Sequence, residues 1–178
     1  IDNFLIGKKN NIKQIKGKIK IVNKDIRNLK SIKNLFKNVD NVFHLAALAD
    51  IVPSIENPLK YFNANVSGTL NVIESVKKYK IKKIIYAASS SCYGIPKTYP
   101  TKETEKIDTR YPYALTKYMG ENLLVNWSNI YKIKFISLRL FNVYGTRSRT
   151  SGTYGAMFGV LLAQKWAKKP YTIVGSGD

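Results

Sequence analysis

Tyr113-Ala114-Leu115-Thr116-Lys117 sets a phenol and an ammonium four residues apart. On a helix that spacing puts both on one face about one turn from each other. A free tyrosine, with a pKa of about 10, is a poor base at neutral pH, but a fixed cation nearby favours the phenolate. The pair therefore has a use in proton transfer. A second candidate is the hydroxyl run Ser89-Ser90-Ser91, which follows an apolar segment. Asn142 and the basic residues Arg147 and Arg149 follow another, and are suited to polar and charge-assisted contacts with phosphate.

Periodicity supplies the elements that must position these groups. Short β-rich runs alternate with amphipathic segments, the pattern of βαβ units around a parallel sheet. Strands are expected at Lys18–Val22, Asn41–Ala46, Ile81–Ala88, Lys134–Leu140 and Tyr171–Val174, the second with an apolar run suited to burial on both faces. Helices are expected near Leu29–Asn38, from Pro58, from Pro112 and over Gly155–Ala167. The Pro58 helix follows Asn57 as its cap, with Leu59, Phe62, Val66, Leu70, Ile73 and Val76 at spacings of three and four. Ligands of such sheets sit beyond the carboxyl ends of the strands. The residues after Ala46, Ala88 and Leu140 are thus where chemistry is expected.

Composition removes several alternatives. At 178 residues and 44% hydrophobic the chain can bury one core, and it reads as one domain over 1–178. No run of roughly eighteen uncharged apolar residues is present to cross a bilayer. One cysteine, Cys92, and one histidine, His44, make no internal disulfide and a poor zinc or nucleophile-triad set, so no metal is expected. His44 falls inside a strand pattern and reads as a hydrogen-bonded core residue. The net charge of +19 is mostly lysine spread along the chain, which argues for solvated faces over a nucleic-acid site while still favouring anionic substrates.

A set of short motifs carries a resemblance. They are Asp2-Asn3-Phe4 with Gly7, Asp25-Ile26-Arg27, His44-Leu45-Ala46-Ala47, Asn65-Val66-Ser67-Gly68-Thr69, Ala88 to Gly94, Tyr113 to Lys117, and Leu138 to Gly145. In this order they resemble the extended short-chain dehydrogenase/reductase superfamily, and within it the nucleotide-sugar epimerase/dehydratase family, especially UDP-sugar 4-epimerases. The resemblance implies a Rossmann-type doubly wound parallel sheet that binds NAD. It makes Tyr113 the general acid/base, Lys117 the cation that tunes it and holds the nicotinamide ribose, and Ser89 the hydroxyl bridging substrate and tyrosine, with Ser90 and Ser91 as neighbouring alternatives. Asp2 and Asn3 are assigned to the adenosine ribose, Asp25 and Ile26 to the adenine, and Leu45, Ala46, Ala47 and Asn65 to the cofactor cleft. Ser89, Ser90, Ser91, Asn142 and Arg147 are assigned to the substrate.

The implied activity is reversible oxidation at C4 of a UDP-hexose, in a cytoplasmic homodimer paired through the helices at Pro58 and Pro112. Ser90 and Ser91 stand where 4,6-dehydratases of the family carry Asp-Glu and where UDP-glucuronate decarboxylases carry a glutamate, so epimerisation is favoured over both. Leu140 stands where many members have tyrosine. An RNA-binding, non-catalytic member of the superfamily is the contrasting class. The family's first strand and Gly-rich phosphate loop, and its C-terminal substrate lobe, are missing from the sequence. The chain is accordingly expected to be the central portion of a longer protein, inactive by itself.

Overall fold

The computed structural model describes residues 1–147 and 157–173. They fall into two compact units, 1–141 and 142–178. In the first, Leu29–Ile32 forms α1, whose cap Asn28 accepts the Ser31 amide through its side chain at 3.2 Å, and a 3₁₀ turn continues it to Phe36. Strand β1 is Asn41–His44. Helix α2 spans Ile51–Glu56, α3 Pro58–Phe62 and α4 Gly68–Lys78, the last two joined through a π-helical stretch at Asn63–Ser67. Strand β2 is Lys83–Ser89, α5 is Pro112–Tyr131 and β3 is Phe135–Leu140. The strands pair in parallel in the order β1-β2-β3.

Helices α4 and α5 form the crossovers, and their apolar stripes build the core. Ile32, Phe36, Val72, Ile73, Val76, Ile84, Tyr86 and Leu124 are all buried there. Proline at the first position of α3 and α5 is tolerated because the amide it removes has no helical partner. The same reason explains α2, which the sequence reading passed over. Pro53 lies within its first turn, where backbone donors are unpaired in any case.

Three expectations need correction. Lys18–Val22 is not a strand: a 3₁₀ segment covers Lys9–Lys18, and pairing is confined to a single bridge between Asp2 and Asn23. The second strand is not buried on both faces, for Phe43 is 70% exposed and Leu45 68%. Alternate residues of β3, including Ile136 and Leu138, are also exposed, because the helices of this unit pack on only one side of the sheet. Tyr171–Ile173 forms no strand, and Thr172 instead bonds Gln164. Val174 lies outside the described residues.

The second unit holds α6, Met157–Trp166, with the Phe158 ring 5.1 Å from that of Tyr144. The expected helix start at Gly155 and Ala156 lies outside the described residues. Among the described residues no helix is long and apolar enough to cross a membrane.

Gly120 lets α5 lie close to β2. A Cβ there would sit 2.3 Å from the Tyr86 Oη, which donates to the Lys117 carbonyl at 3.1 Å. Gly120→Ala is expected to destabilise the protein by about 3 kcal/mol, since Tyr86 is fully buried and has no room to retreat. Urea unfolding measures this, and a wild-type midpoint would contradict the packing account.

Candidate active site

The carboxyl end of β2 carries Ser89, whose side chain caps the 3₁₀ turn Ser90–Tyr93. It accepts the Ser91 amide at 3.2 Å and lies 2.7 Å from the Ser91 hydroxyl. Across from it, Tyr113 occupies the first turn of α5. Burial pushes the Tyr113 phenol above its ordinary range, a hydrogen bond with Ser89 pulls it down, and the Asp50 carboxylate pushes it up. Of the three serines, Ser89 is the one that acts on the phenol. Ser91 is engaged with Ser89, and Ser90 is half-buried.

Tyr113 is fixed by its backbone. Its amide donates to Ser54 Oγ at 3.1 Å, and its carbonyl accepts the Thr116 hydroxyl at 3.0 Å. Its ring meets that of Tyr61 edge-on at 6.4 Å, and the Tyr61 hydroxyl donates to the Ala49 carbonyl. Asp50, next along, has a φ of 86°, a backbone region costly for a residue with a side chain. This segment, the α2 N-terminus and the start of α5 form one hydrogen-bonded corner.

Asn65 ties the corner together from the π-helical stretch, where an extra residue in the turn redirects the side chains. It is fully buried. Its Oδ1 accepts the Leu48 amide at 2.8 Å, and its Nδ2 donates to the Leu48 carbonyl at 3.0 Å and to Thr116 Oγ1 at 3.1 Å. Both amide hydrogens are therefore committed to protein. Sequence reading assigned Asn65 to the cofactor; in the structure it holds the loop that follows β1.

Lys117 lies one turn beyond Tyr113 and is only 4% exposed. Its Nζ stands 4.3 Å from the centroid of the Tyr86 ring, and burial pulls its pKa down to about 7. Of the side chains around the Tyr113 phenol, Ser89 draws its pKa down and Asp50 pushes it up. Beside it His44 is buried, its pKa lowered to about 3 by burial and then by Lys117. Thr69 Oγ1 donates to the Asn65 carbonyl at 2.6 Å, so its 2.9 Å contact with His44 Nε2 makes that nitrogen the donor. Neutral His44 is thus a core residue, as its strand position implied.

A cleft of about 150 Å³ opens at the end of β1. Asp2, Asn3 and Gly7 line one side and Asp25 and Ile26 another, while Leu45, Ala46 and Ala47 form its wall. Asp2 Oδ1 accepts the Phe4 amide at 2.6 Å, and a Cβ on residue 7 would come within 2.9 Å of Asp2 Oδ2. The missing side chain at Gly7 leaves that oxygen room. Asp25 is less open: Arg27 holds its carboxyl well below the usual range against burial, and Asn3 Nδ2 donates to it at 2.9 Å. Carboxylate acceptors beside small alanines suit the hydroxyl-bearing adenosine end of a dinucleotide. Asn142 and Arg147 belong to the second unit, where both are exposed, and Arg149 lies outside the described residues.

Ser54, Tyr61, Thr69 and Thr116 were missed by sequence reading. Only Thr116 had a readable signal, three residues after Tyr113 on the same helix face.

A parallel sheet, its crossover helices and a ligand cleft beyond the strand ends define a Rossmann-type α/β protein. The chain belongs to the NAD dependent epimerase/dehydratase family, whose model matches residues 5–178. A UDP-glucose 4-epimerase of Lacticaseibacillus casei is 32% identical over 148 residues, covering 82% of this chain and 44% of that protein. Among solved structures, the UDP-N-acetylglucosamine 4-epimerase from Methanobrevibacter ruminantium M1, in complex with UDP-N-acetylmuramic acid, superposes with a TM-score of 0.93 at 31% identity. It covers 99% of this chain and 57% of that one. The UDP-glucose 4-epimerase of Thermus thermophilus, in complex with NAD, gives 0.87 at 29%, covering 95% and 54%. The chain thus spans about half the length of the relatives it matches.

Proposed function

We propose that the complete gene product epimerises C4 of a UDP-hexose through a 4-keto sugar, using NAD. The observation that carries this reading is the Tyr113 phenol beside Ser89 at a strand end, where that hydroxyl draws its pKa down, with Lys117 one helical turn away.

Bound NAD supplies the acceptor and later the donor of the C4 hydride. Tyr113 takes the proton of the 4-hydroxyl and returns it after the sugar has turned over. Ser89 bridges the sugar oxygen and the phenol, with Ser90 and Ser91 lining the same turn. Lys117 contributes the positive charge that the buried phenol needs in order to ionise, and binds the nicotinamide ribose. Asp2 and Asn3 receive the adenosine ribose, a carboxylate there repelling a 2′-phosphate. Asp25 and Ile26 flank the adenine, Leu45, Ala46 and Ala47 admit the dinucleotide, and Asn65 steadies that wall from behind. Asn142 and Arg147 serve the sugar diphosphate. The enzyme works as a cytoplasmic homodimer through the helices at Pro58 and Pro112, which leave Leu59 and Leu115 exposed.

The complete gene product should convert UDP-glucose to UDP-galactose with no net change in NAD, as read by chromatography of the nucleotide sugars. Turnover of neither hexose nor its N-acetyl form, or formation of a 4-keto-6-deoxy sugar instead, would overturn the assignment.

A further inference from the structure

Arg139 in β3 lies opposite Ala88 of β2 and projects toward α5. Its Nη2 reaches Glu121 Oε1 at 2.6 Å, and its Nε lies 3.2 Å from both carboxylate oxygens. The Arg139 side chain is 21% exposed and that of Glu121 10%, so the pair is largely withdrawn from water. Ser137, on the same face of β3, donates its hydroxyl to Glu121 Oε2 at 2.9 Å.

Charge neutralisation accounts for half of this geometry. The remaining donor, Nη1, goes to Tyr93 Oη at 2.9 Å and to the Glu103 carbonyl at 3.0 Å, and the guanidinium lies 5.1 Å from the Tyr93 ring centroid. Tyr93 ends the turn that begins after Ser89. Glu103 is part of the loop that leads from that turn to α5. Glu121 stands two helical turns beyond Tyr113 and one beyond Lys117. A planar group with five fixed donors thus bonds at once the three segments that carry or connect the reaction centre.

We propose that Arg139 is a positioning residue: by holding Tyr93 and Glu103 against Glu121, it sets the place of Ser89 relative to Tyr113. This rests on the reading of Ser89 and Tyr113 as the reaction centre. Loosening the clamp frees the Ser89–Tyr93 turn without removing any group that touches substrate. Cys92 reports on that turn, for it is 1% exposed and its carbonyl accepts the Asp108 amide at 2.8 Å.

The test uses the complete gene product. Removing one partner alone strands a buried charge and threatens folding, so the informative variant is Arg139→Met with Glu121→Met. Replacing a buried ion pair by apolar groups of similar volume is often neutral for stability. The double variant is expected to unfold near the wild-type urea midpoint, yet to lose roughly 10- to 100-fold in kcat on UDP-glucose with KM within about twofold. Maleimide labelling of Cys92, followed by peptide mass, should quicken by about tenfold or more. Arg139→Lys keeps the charge opposite Glu121 but lacks the fork, and is expected to show the same kcat loss and faster labelling. Wild-type kcat with a protected Cys92 in either variant would reduce Arg139 to a structural ion pair and overturn the proposal. Were the wild type itself inactive on nucleotide sugars, the labelling arm would still decide the clamp: acceleration supports it and unchanged protection overturns it.

Discussion

Tyr113→Phe should cut conversion of UDP-hexose by roughly 10³-fold, the scale of a lost general acid/base, while leaving the fold intact. The phenyl ring keeps the edge contact with Tyr61, and both backbone bonds of residue 113 survive, because neither the Ser54 nor the Thr116 contact involves the phenol. What goes is the phenol's polar interaction with Ser89, worth about 1 kcal/mol at most to stability. The contrast between a large kinetic loss and a small shift in urea midpoint is the signature of a group that moves protons. Turnover within a few-fold of wild type would take Tyr113 out of the mechanism. A collapse in stability would make it a packing residue instead.

Lys117→Met is expected to act in the opposite sense on stability. The ammonium is buried against the Tyr86 ring, and no carboxylate pairs with it among the described residues. Burial lowers its pKa from an ordinary 10.5 to about 7. Between those values the unfolded chain binds a proton that the native state does not, so native stability rises with pH across that window. Below about pH 7 both states are protonated and the penalty is complete; above about pH 10.5 it is gone. At pH 7 and free of cofactor, Lys117→Met should therefore be more stable than wild type by about 4 kcal/mol. It should also lack the rise in stability toward pH 10. The same variant should lose activity by 100-fold or more, on the order expected when the phenol has no cation to draw it toward ionisation. Urea midpoints at pH 7 and pH 9.5, with nucleotide-sugar assays alongside, check both halves. A destabilised variant at pH 7 would mean that the ammonium is satisfied in the native state.

These two residues show what burial does to a pair of groups that can exchange protons. Tyr113 is raised by the same burial that lowers Lys117, so both are driven toward their neutral forms in the chain by itself. Burial strengthens any interaction a bound ligand makes there, and it leaves the unliganded protein with the cost. His44 has no such tension. It is neutral, hydrogen-bonded to Thr69 and packed at 5.4 Å from the Tyr86 ring with the two planes tilted by 39°, and its role ends in the core.

The local pattern was enough to determine the helices at Pro58 and Pro112, strands ending near Ala46, Ala88 and Leu140, and a phenol and ammonium on one face of α5. Those features depend on periodicities of two and 3.6 and on caps, all of which act within a few residues. Motif order already favoured Ser89 over Ser90 and Ser91, and tertiary structure alone brings the Tyr113 phenol beside that run of hydroxyls. It also decided that Asn65 faces inward onto Leu48, that the Lys117 ammonium lies over Tyr86, and that Arg139 joins three segments distant in sequence. Lys18–Val22 and Tyr171–Ile173 carry strand-like residues yet join no strand ladder among the described residues, and β propensity is realised only against a neighbour. Side-chain direction and strand pairing are set by groups tens of residues away, and spacing along the chain carries no record of them.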